Sequence, residues 1–294
     1  MIYFPFEEWT NLGNWMFQYA AAMSIGQEVR GYLESPAALA RIERTPDIFR
    51  SLRLVDELPC GVREYRQPAF TYEKVPDELC TGDWLIRGFF QSEKYFDRQR
   101  VREAFGPSSS RIAELKAHYG EWLAQENVTG IHVRRGDYLT QLYNHPFAGK
   151  KYYEEAIRRM EDCRHYIVCS DDIGWCKTFF TVRRFPGRHF YFSEGGSPIS
   201  DMYLQSMCHN NIISNGTFAW WGAWLNNHPD KRVIAPSHWF GFAKKLDVRD
   251  MYWEGMEIIE NSYGLVDGAA AYGQFFRKKI VARGSTLKHW ILRK

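Results

Sequence analysis

The sequence predicts an α/β protein organised around parallel sheet. From residue 125 onward, short apolar runs alternate with amphipathic runs of helical length, the pattern of repeated βαβ units. The chain has 294 residues, 45% of them apolar and 25% charged, so it can bury a substantial core. That length favours two modest domains over one large one.

Residues 1–6 read as a strand, and a turn follows around "TNLGN". "WMFQYAAAMSIGQEV" then runs as a helix, with Trp15, Tyr19, Ala22 and Met23 on one face. Residues 36–80 show no clear period, and "WLIRGFF" (84–90) reads as a strand. The charge-rich "HYGEWLAQEN" leads into the regular half, which puts a domain boundary near 120–127 and gives units 1–124 and 125–294. Beyond it, "VTGIHV" is a strand, "YYEEAIRRME" a helix, "HYIVCS" a strand, "IGWCKTFF" a helix and "FYF" a short strand. "DMYLQSMCHN" is a helix, "NIISN" a strand, "FAWWGAWLNNH" a helix and "RVIAP" one more strand.

Several function classes drop out. The net charge of +3, from 38 basic and 35 acidic residues, is too balanced to imply nucleic acid as a partner. Glu7 and Glu8 follow the apolar start at once, so no signal peptide is expected, and no apolar window approaches the roughly 18 residues of a membrane span. The six cysteines, Cys60, Cys80, Cys163, Cys169, Cys176 and Cys208, are scattered, and none forms Cys-x-x-Cys. Reduced thiols, no zinc and a cytoplasmic location are the expectation, which makes the sequons at Asn127 and Asn215 chance matches. Aromatic residues reach 16%, with 11 tryptophans, a richness that suits sugar-facing surfaces as well as core.

Ligands of open α/β sheets bind beyond the carboxyl ends of the strands. Three such ends carry suggestive chemistry. In "HVRRGDY", alternation puts His132 and Arg134 on one face and Arg135 on the other. One arginine can therefore grip phosphate oxygens while the other makes a structural pair with Asp137 or a neighbouring helix. Gly136 permits a tight turn or a close backbone approach. In "CSDD", Ser170, Asp171 and Asp172 stand where a helix begins, which favours capping and support of the first segment over a metal site. In "ISNGTFAWWGAW", free amides at a helix start attract phosphate, Gly216 lets the backbone approach, and Ser214 and Thr217 add hydroxyls. The paired tryptophans of this segment read more readily as core than as a stacking surface. Asp201 opens the preceding helix; it can accept two hydrogen bonds from guanine or serve as an N-cap. One arginine, a hydroxyl-rich helix start and a nearby acid describe a pocket for a nucleotide diphosphate. Neither a P-loop nor Gly-x-Gly-x-x-Gly is present.

"NLGNWMFQYAAA", "HVRRGDY", "SDDIGWCK", "ISNGTFAWWGAWLN" and "VIAPSHWF" follow in this order over roughly residues 1–240. Together they resemble the bacterial α1,2-fucosyltransferases of glycosyltransferase family 11. The resemblance implies a GT-B-like architecture: two Rossmann-like domains, with the nucleotide-sugar cleft between an acceptor-side domain (1–124) and a GDP-fucose-binding domain (125–294). It implies inverting, metal-independent transfer from GDP-β-L-fucose to a galactose-type acceptor, with no cofactor. Arg134 would grip the diphosphate, with His132 beside it, Asp201 would bind guanine, and Thr217 a phosphate. Gly13-Asn14 would close over the donor, and Ser214, Asn215, Gly216 and Phe218 complete the candidate donor set. Arg135, Asp137, Asp171 and Asp172 are expected as support. The sequence departs from the family pattern in places: Asn11-Leu12-Gly13-Asn14-Trp15 stands for a usual Gly-Leu-Gly-Asn-Gln, Gly216 for a usual serine, and the approach "MIYFPFEEWT" is acidic where many relatives are glycine-rich. The general base is open among Glu7, Glu8, His132 and Asp137.

Residues 277–294 hold seven Lys/Arg and no Asp/Glu, with Leu287, Trp290 and Ile291 at helical spacing. Two readings stand: a solvated helix, or a peripheral contact with anionic inner-membrane lipid that would suit a lipid-linked glycan acceptor. Two competing functions also remain. One is a GDP-fucose transferase of another linkage or acceptor. The other is an adhesion or glycan-binding module that displays Arg135-Gly136-Asp137.

Overall fold

The computed structural model describes residues 1–261, 264 and 268–278. The basic stretch considered for membrane contact lies outside the described residues beyond position 278. Among the described residues no helix is long and apolar enough to cross a membrane.

Two wholly parallel sheets form the frame. The first contains β1 (Ile2–Phe6), β2 (Val29–Leu33), β3 (Arg53–Val55), β4 (Arg63–Arg66) and β5 (Trp84–Arg87), in the order β3-β2-β1-β5-β4. The second contains β6 (Thr129–Val133), β7 (His165–Ser170), β8 (His189–Phe192), β9 (Asn210–Ile212), β10 (Val233–Pro236) and β11 (Met256–Ile259), in the order β11-β10-β9-β6-β7-β8. That second order is the Rossmann order, and strand succession reverses between β6 and β9. In the first sheet it reverses between β1 and β5. This is the GT-B-like α/β arrangement that the resemblance implied.

Helices α1 (Leu12–Ile25), α2 (Pro36–Ile42), α3 (Pro46–Phe49), α4 (Arg98–Phe105) and α5 (Ser109–Leu123) accompany the first sheet and lead to the second. Helices α6 (Gly149–Arg159), α7 (Ile173–Phe179), α8 (Pro198–Ser206) and α9 (Thr217–Leu225) connect the strands of the second, and residues 268–278 are helical. Central strands β1 and β6 are buried at every position, as strands covered on both faces must be.

Local chemistry sets the boundaries that the periodicity misplaced. β5 ends at Arg87 rather than at Phe90, because Gly88 (φ 153°) and Phe90 (φ 49°) turn the chain out of the sheet. α8 starts at Pro198, not Asp201, because Ser197 accepts from the Ser200 N–H as N-cap and Pro198 presets the first turn. In residues 36–80 no element exceeds seven residues, too short to show a period, and the four-residue β11 escaped notice for the same reason.

One apolar core runs through both sheets. Phe17 of α1 packs on Trp220 and Trp221 of α9, with ring centres 4.6 and 4.7 Å away, and Phe96 stacks on Trp221 at 5.5 Å. The indole N–H of Trp221 donates to the Gly13 carbonyl at 3.0 Å. The paired tryptophans are therefore core, fully buried.

Candidate active site

The carboxyl ends of β6, β7, β8 and β9 open on one edge of the second sheet. The residues that leave them form the site.

Buried tyrosines fix the strand ends. Tyr153 of α6 donates to the His132 carbonyl at 3.0 Å, and Tyr152 donates to the carbonyls of Ile213 (2.6 Å) and Ile234 (3.1 Å). His132 itself is buried, with Nδ1 2.8 Å from the Ser214 hydroxyl and its ring 5.3 Å from that of Phe218. Burial, and then the nearby Arg134 charge, push its pKa down to about 3, so the imidazole is neutral. Ser214 thus spends its hydroxyl on His132.

Arg134 leaves β6 and meets two carboxylates, Asp137 at 2.7 Å and Asp171 at 3.0 Å. Its guanidinium carbon is 5.6 Å from the centre of the Tyr138 ring. Arg135 points elsewhere. It pairs with Asp172 at 2.9 Å and lies over Trp175 (4.3 Å) and Phe147 (4.8 Å). Asp172 also caps α7 by accepting from the Trp175 N–H at 3.0 Å. Asp171 accepts from the Arg135 N–H at 2.9 Å, and a Cβ on Gly136 would lie 2.6 Å from its other oxygen. Glycine is what lets the chain fold back onto that carboxylate. The Arg-Gly-Asp tripeptide is therefore engaged internally.

Opposite stands the start of α9. Gly216 is its N-cap and supplies no side chain. Tyr138 bridges the two parts: its hydroxyl donates to the Asn215 carbonyl at 2.9 Å and would be 3.4 Å from a Cβ on Gly216. The Asn215 side chain turns away from this edge. Its amide donates to the carbonyls of Pro146 (2.8 Å) and Trp239 (3.2 Å) and so ties this loop. Thr217 is partly exposed and touches α1: a Cβ on Gly13 would be 2.5 Å from its Oγ1. The starts of α1 and α9 thus meet, at the carboxyl ends of both sheets. Asn14 beside them accepts from the Gln91 side chain at 2.8 Å, which turns its oxygen toward the loop after β5.

Asp201 lies farther along the edge, in the first turn of α8. It accepts from the Ser193 hydroxyl at 2.6 Å, and burial raises its pKa against the lowering effect of that bond. It is not a helix cap, which removes the alternative reading of this residue. Beside it a cavity of about 430 Å³ is lined by Leu115, His118, Tyr119, Gly195, Gly196 and Ser200, among others. Gly196 links cavity and acid, since a Cβ there would be 3.5 Å from Asp201 Oδ1.

Glu7 stands at the carboxyl end of β1, paired with Arg87 at 3.3 Å; burial, then the Glu34 charge, raise its pKa. Glu8 is exposed, and its carbonyl accepts from Arg41. Among the described residues no group of three His, Cys, Asp or Glu is gathered that could hold a metal ion.

The sequence reading overlooked Tyr138, Tyr152 and Tyr153. The adjacent tyrosines on a helix that follows the His-x-Arg-Arg strand were the available signal: buried hydroxyls must find partners, and strand-end carbonyls are the nearest acceptors.

The family described as Glycosyl transferase family 11 matches residues 48–257. An α-1,2-colitosyltransferase of Escherichia coli is 29% identical over 261 residues, 78% of this chain and 89% of that protein. The O-antigen biosynthesis glycosyltransferase WbnK of Escherichia coli is 43% identical over 136 residues, 43% of this chain and 44% of WbnK. Galactoside α-(1,2)-fucosyltransferase 1 of Alouatta belzebul is 30% identical over 238 residues, 72% of this chain and 62% of that protein. Among solved structures, NodZ α-1,6-fucosyltransferase soaked with GDP-fucose aligns with a TM-score of 0.47 at 15% identity, covering 76% of this chain and 92% of that one. The chain belongs to glycosyltransferase family 11.

Proposed function

We propose that the protein transfers L-fucose from GDP-β-L-fucose to the 2-hydroxyl of a terminal galactose-type residue, with inversion, to give an α1,2 linkage. The observation that carries this reading is Arg134, braced by two acids and joined through Tyr138 to the uncapped start of α9 at the β6–β9 reversal. A guanidinium has five N–H groups, so the two pairs with Asp137 and Asp171 leave donors for diphosphate oxygens. The amides of Thr217 and Phe218 open α9 and suit the same oxygens. As the bond to fucose breaks, negative charge grows on the leaving diphosphate. Fixed donors aimed at that charge lower the barrier without reorganising. Guanine would lie against Asp201, beside the cavity near Gly196.

Of the four candidates for the base, Glu7 fits best. His132 is a poor base with its pKa near 3, Asp137 is engaged with Arg134, and Glu8 points to solvent. Glu7 also has an arginine partner, but at 3.3 Å rather than 2.7 Å, and it is half-buried with a raised pKa, which suits proton abstraction from a hydroxyl attacking opposite the leaving group. Transfer needs no metal in this scheme, and full activity in excess EDTA is the expected result.

The colitosyltransferase similarity, which extends over 89% of that protein, favours a second donor reading. Colitose is fucose without its 3-hydroxyl, so the same diphosphate and guanine contacts would serve both. The WbnK similarity supports a role in bacterial surface polysaccharide assembly on a lipid-linked acceptor. The deciding experiment incubates the protein with GDP-fucose or GDP-colitose and a panel of terminal galactosides, follows GDP release, and assigns the linkage by NMR. No GDP release with any pair would refute the proposal.

A further inference from the structure

Six partly exposed rings form a continuous row from the rim of the first sheet to Arg134. Trp9 follows β1 and Phe89 follows β5, the two strands between which the first sheet reverses; their ring centres are 5.9 Å apart. Phe89 meets Phe70 at 5.9 Å, Phe70 meets Phe240 at 5.5 Å, and Phe240 meets His145 at 5.9 Å. His145 stacks on Tyr138 at 4.8 Å, and Tyr138 lies 5.6 Å from the Arg134 guanidinium carbon.

These rings lie at the edge of the core, with Phe70 and Phe240 packed against it. Trp9 is 67% exposed and the other five are partly accessible, whereas Trp220 and Trp221 are fully buried. Nor is Trp9 on a slack loop. Arg41 donates to the carbonyls of Glu8 (2.7 Å) and Thr10 (2.6 Å) and to the Asn11 side chain (3.1 Å). A large apolar ring held in water by an anchored loop, at a sheet reversal where ligands bind, is the kind of exposure that marks a binding surface.

The neighbouring charges select the ligand. Glu7, Glu34 and Glu64 surround Arg87 at 3.3, 2.5 and 3.0 Å, Arg66 also pairs with Glu64, and Arg41 is spent on the loop of Trp9, so the arginines of this rim are already engaged and do not favour a second anionic nucleotide. A neutral saccharide fits both features. Its C–H faces pack on the rings, and its hydroxyls donate to the carboxylates. Each ring-to-ring step is on the scale of one pyranose, so the row holds more than one sugar.

We propose that the acceptor is a neutral oligosaccharide of three or more sugars: its terminal galactose reacts near Arg134, and its inner residues lie along this row with Trp9 as the outer anchor. The direction of the glycan rests on the donor reading above.

The test is calorimetric titration of full-length protein, in the presence of GDP, with a β-galactoside monosaccharide, disaccharide and trisaccharide. Affinity should rise with length in the wild type. Trp9→Ala should weaken trisaccharide binding about tenfold, the scale of one lost aromatic contact, and Trp9→Phe should recover most of it. Equal trisaccharide affinity in Trp9→Ala and wild type, no gain with length, or no saccharide binding overturns the inference. Trp9-dependent saccharide binding without GDP release from GDP-fucose would instead fault the donor reading.

Discussion

His132 makes stability depend on pH in a calculable way. The folded protein keeps this ring neutral down to about pH 3, because burial and Arg134 oppose its protonation. In the unfolded chain the ring takes a proton near its ordinary value of 6.5. The folded-state pKa is the lower one, so the contribution is fully present above pH 6.5 and is lost as pH falls toward 3. At pH 5 the unfolded chain gains about 2 kcal/mol from that protonation, the logarithm of about 1.5 pH units of excess proton binding, while the folded state gains almost nothing. His132→Asn keeps a polar atom toward Ser214 and removes the titration. Urea unfolding of both proteins at pH 7.5 and pH 5 measures the difference. Wild type should lose about 2 kcal/mol more than His132→Asn over that interval. His145, also depressed, to about 4, adds the same slope to both proteins and cancels. Equal pH slopes for the two would refute the account of a buried neutral imidazole.

Other perturbations test the remaining contacts. Arg134→Ala should lower the rate of transfer about 10²–10³-fold, with Arg134→Lys recovering part of it, because one fixed donor to the leaving diphosphate is lost; a steady-state rate near wild type excludes Arg134 from the site. Gly13→Ala places a methyl 2.5 Å from Thr217 Oγ1 and 2.8 Å from the Thr217 carbonyl carbon, so α1 and α9 must separate. Thermal unfolding should register a loss of about 1–3 kcal/mol, and GDP should bind more weakly in titration calorimetry. Glu7→Gln should reduce kcat about 10²–10⁴-fold while GDP affinity holds, and an unchanged kcat removes Glu7 as the base.

The second half was legible because its strands are short apolar runs separated by helices of ten residues or so. "HYIVCS" coincides with β7 to the residue, since a strand buried at its centre has an unambiguous hydrophobic signature. Residues 36–80 were not, because elements such as α3, with four residues, owe their form to tertiary contacts rather than to a repeat. At the site, alternation along β6 was enough to send Arg134 and Arg135 to different partners. It could not foresee that Asn215 would turn inward, because a side-chain amide goes wherever unpaired carbonyls are. Here those belong to Pro146 and Trp239, far away in sequence. Trp9 was invisible for a related reason: nothing in "EEWTN" distinguishes an exposed indole from a buried one.

The tryptophan packing between α1 and α9 has a consequence for substrate traffic. Swinging the two sheets apart would bring Trp220 and Trp221 into water. Two indoles of about 200 Å² each, at about 25 cal/mol per Å², put that motion near 10 kcal/mol uphill. At equilibrium about one molecule in 10⁷ would be open in this way. A bound donor would therefore exchange at lower cost past the rim, by rearrangement of short segments such as the one carrying Tyr138, with α1 and α9 still packed together. Changes at the rim could then alter what it holds without disturbing the packing of α1 on α9.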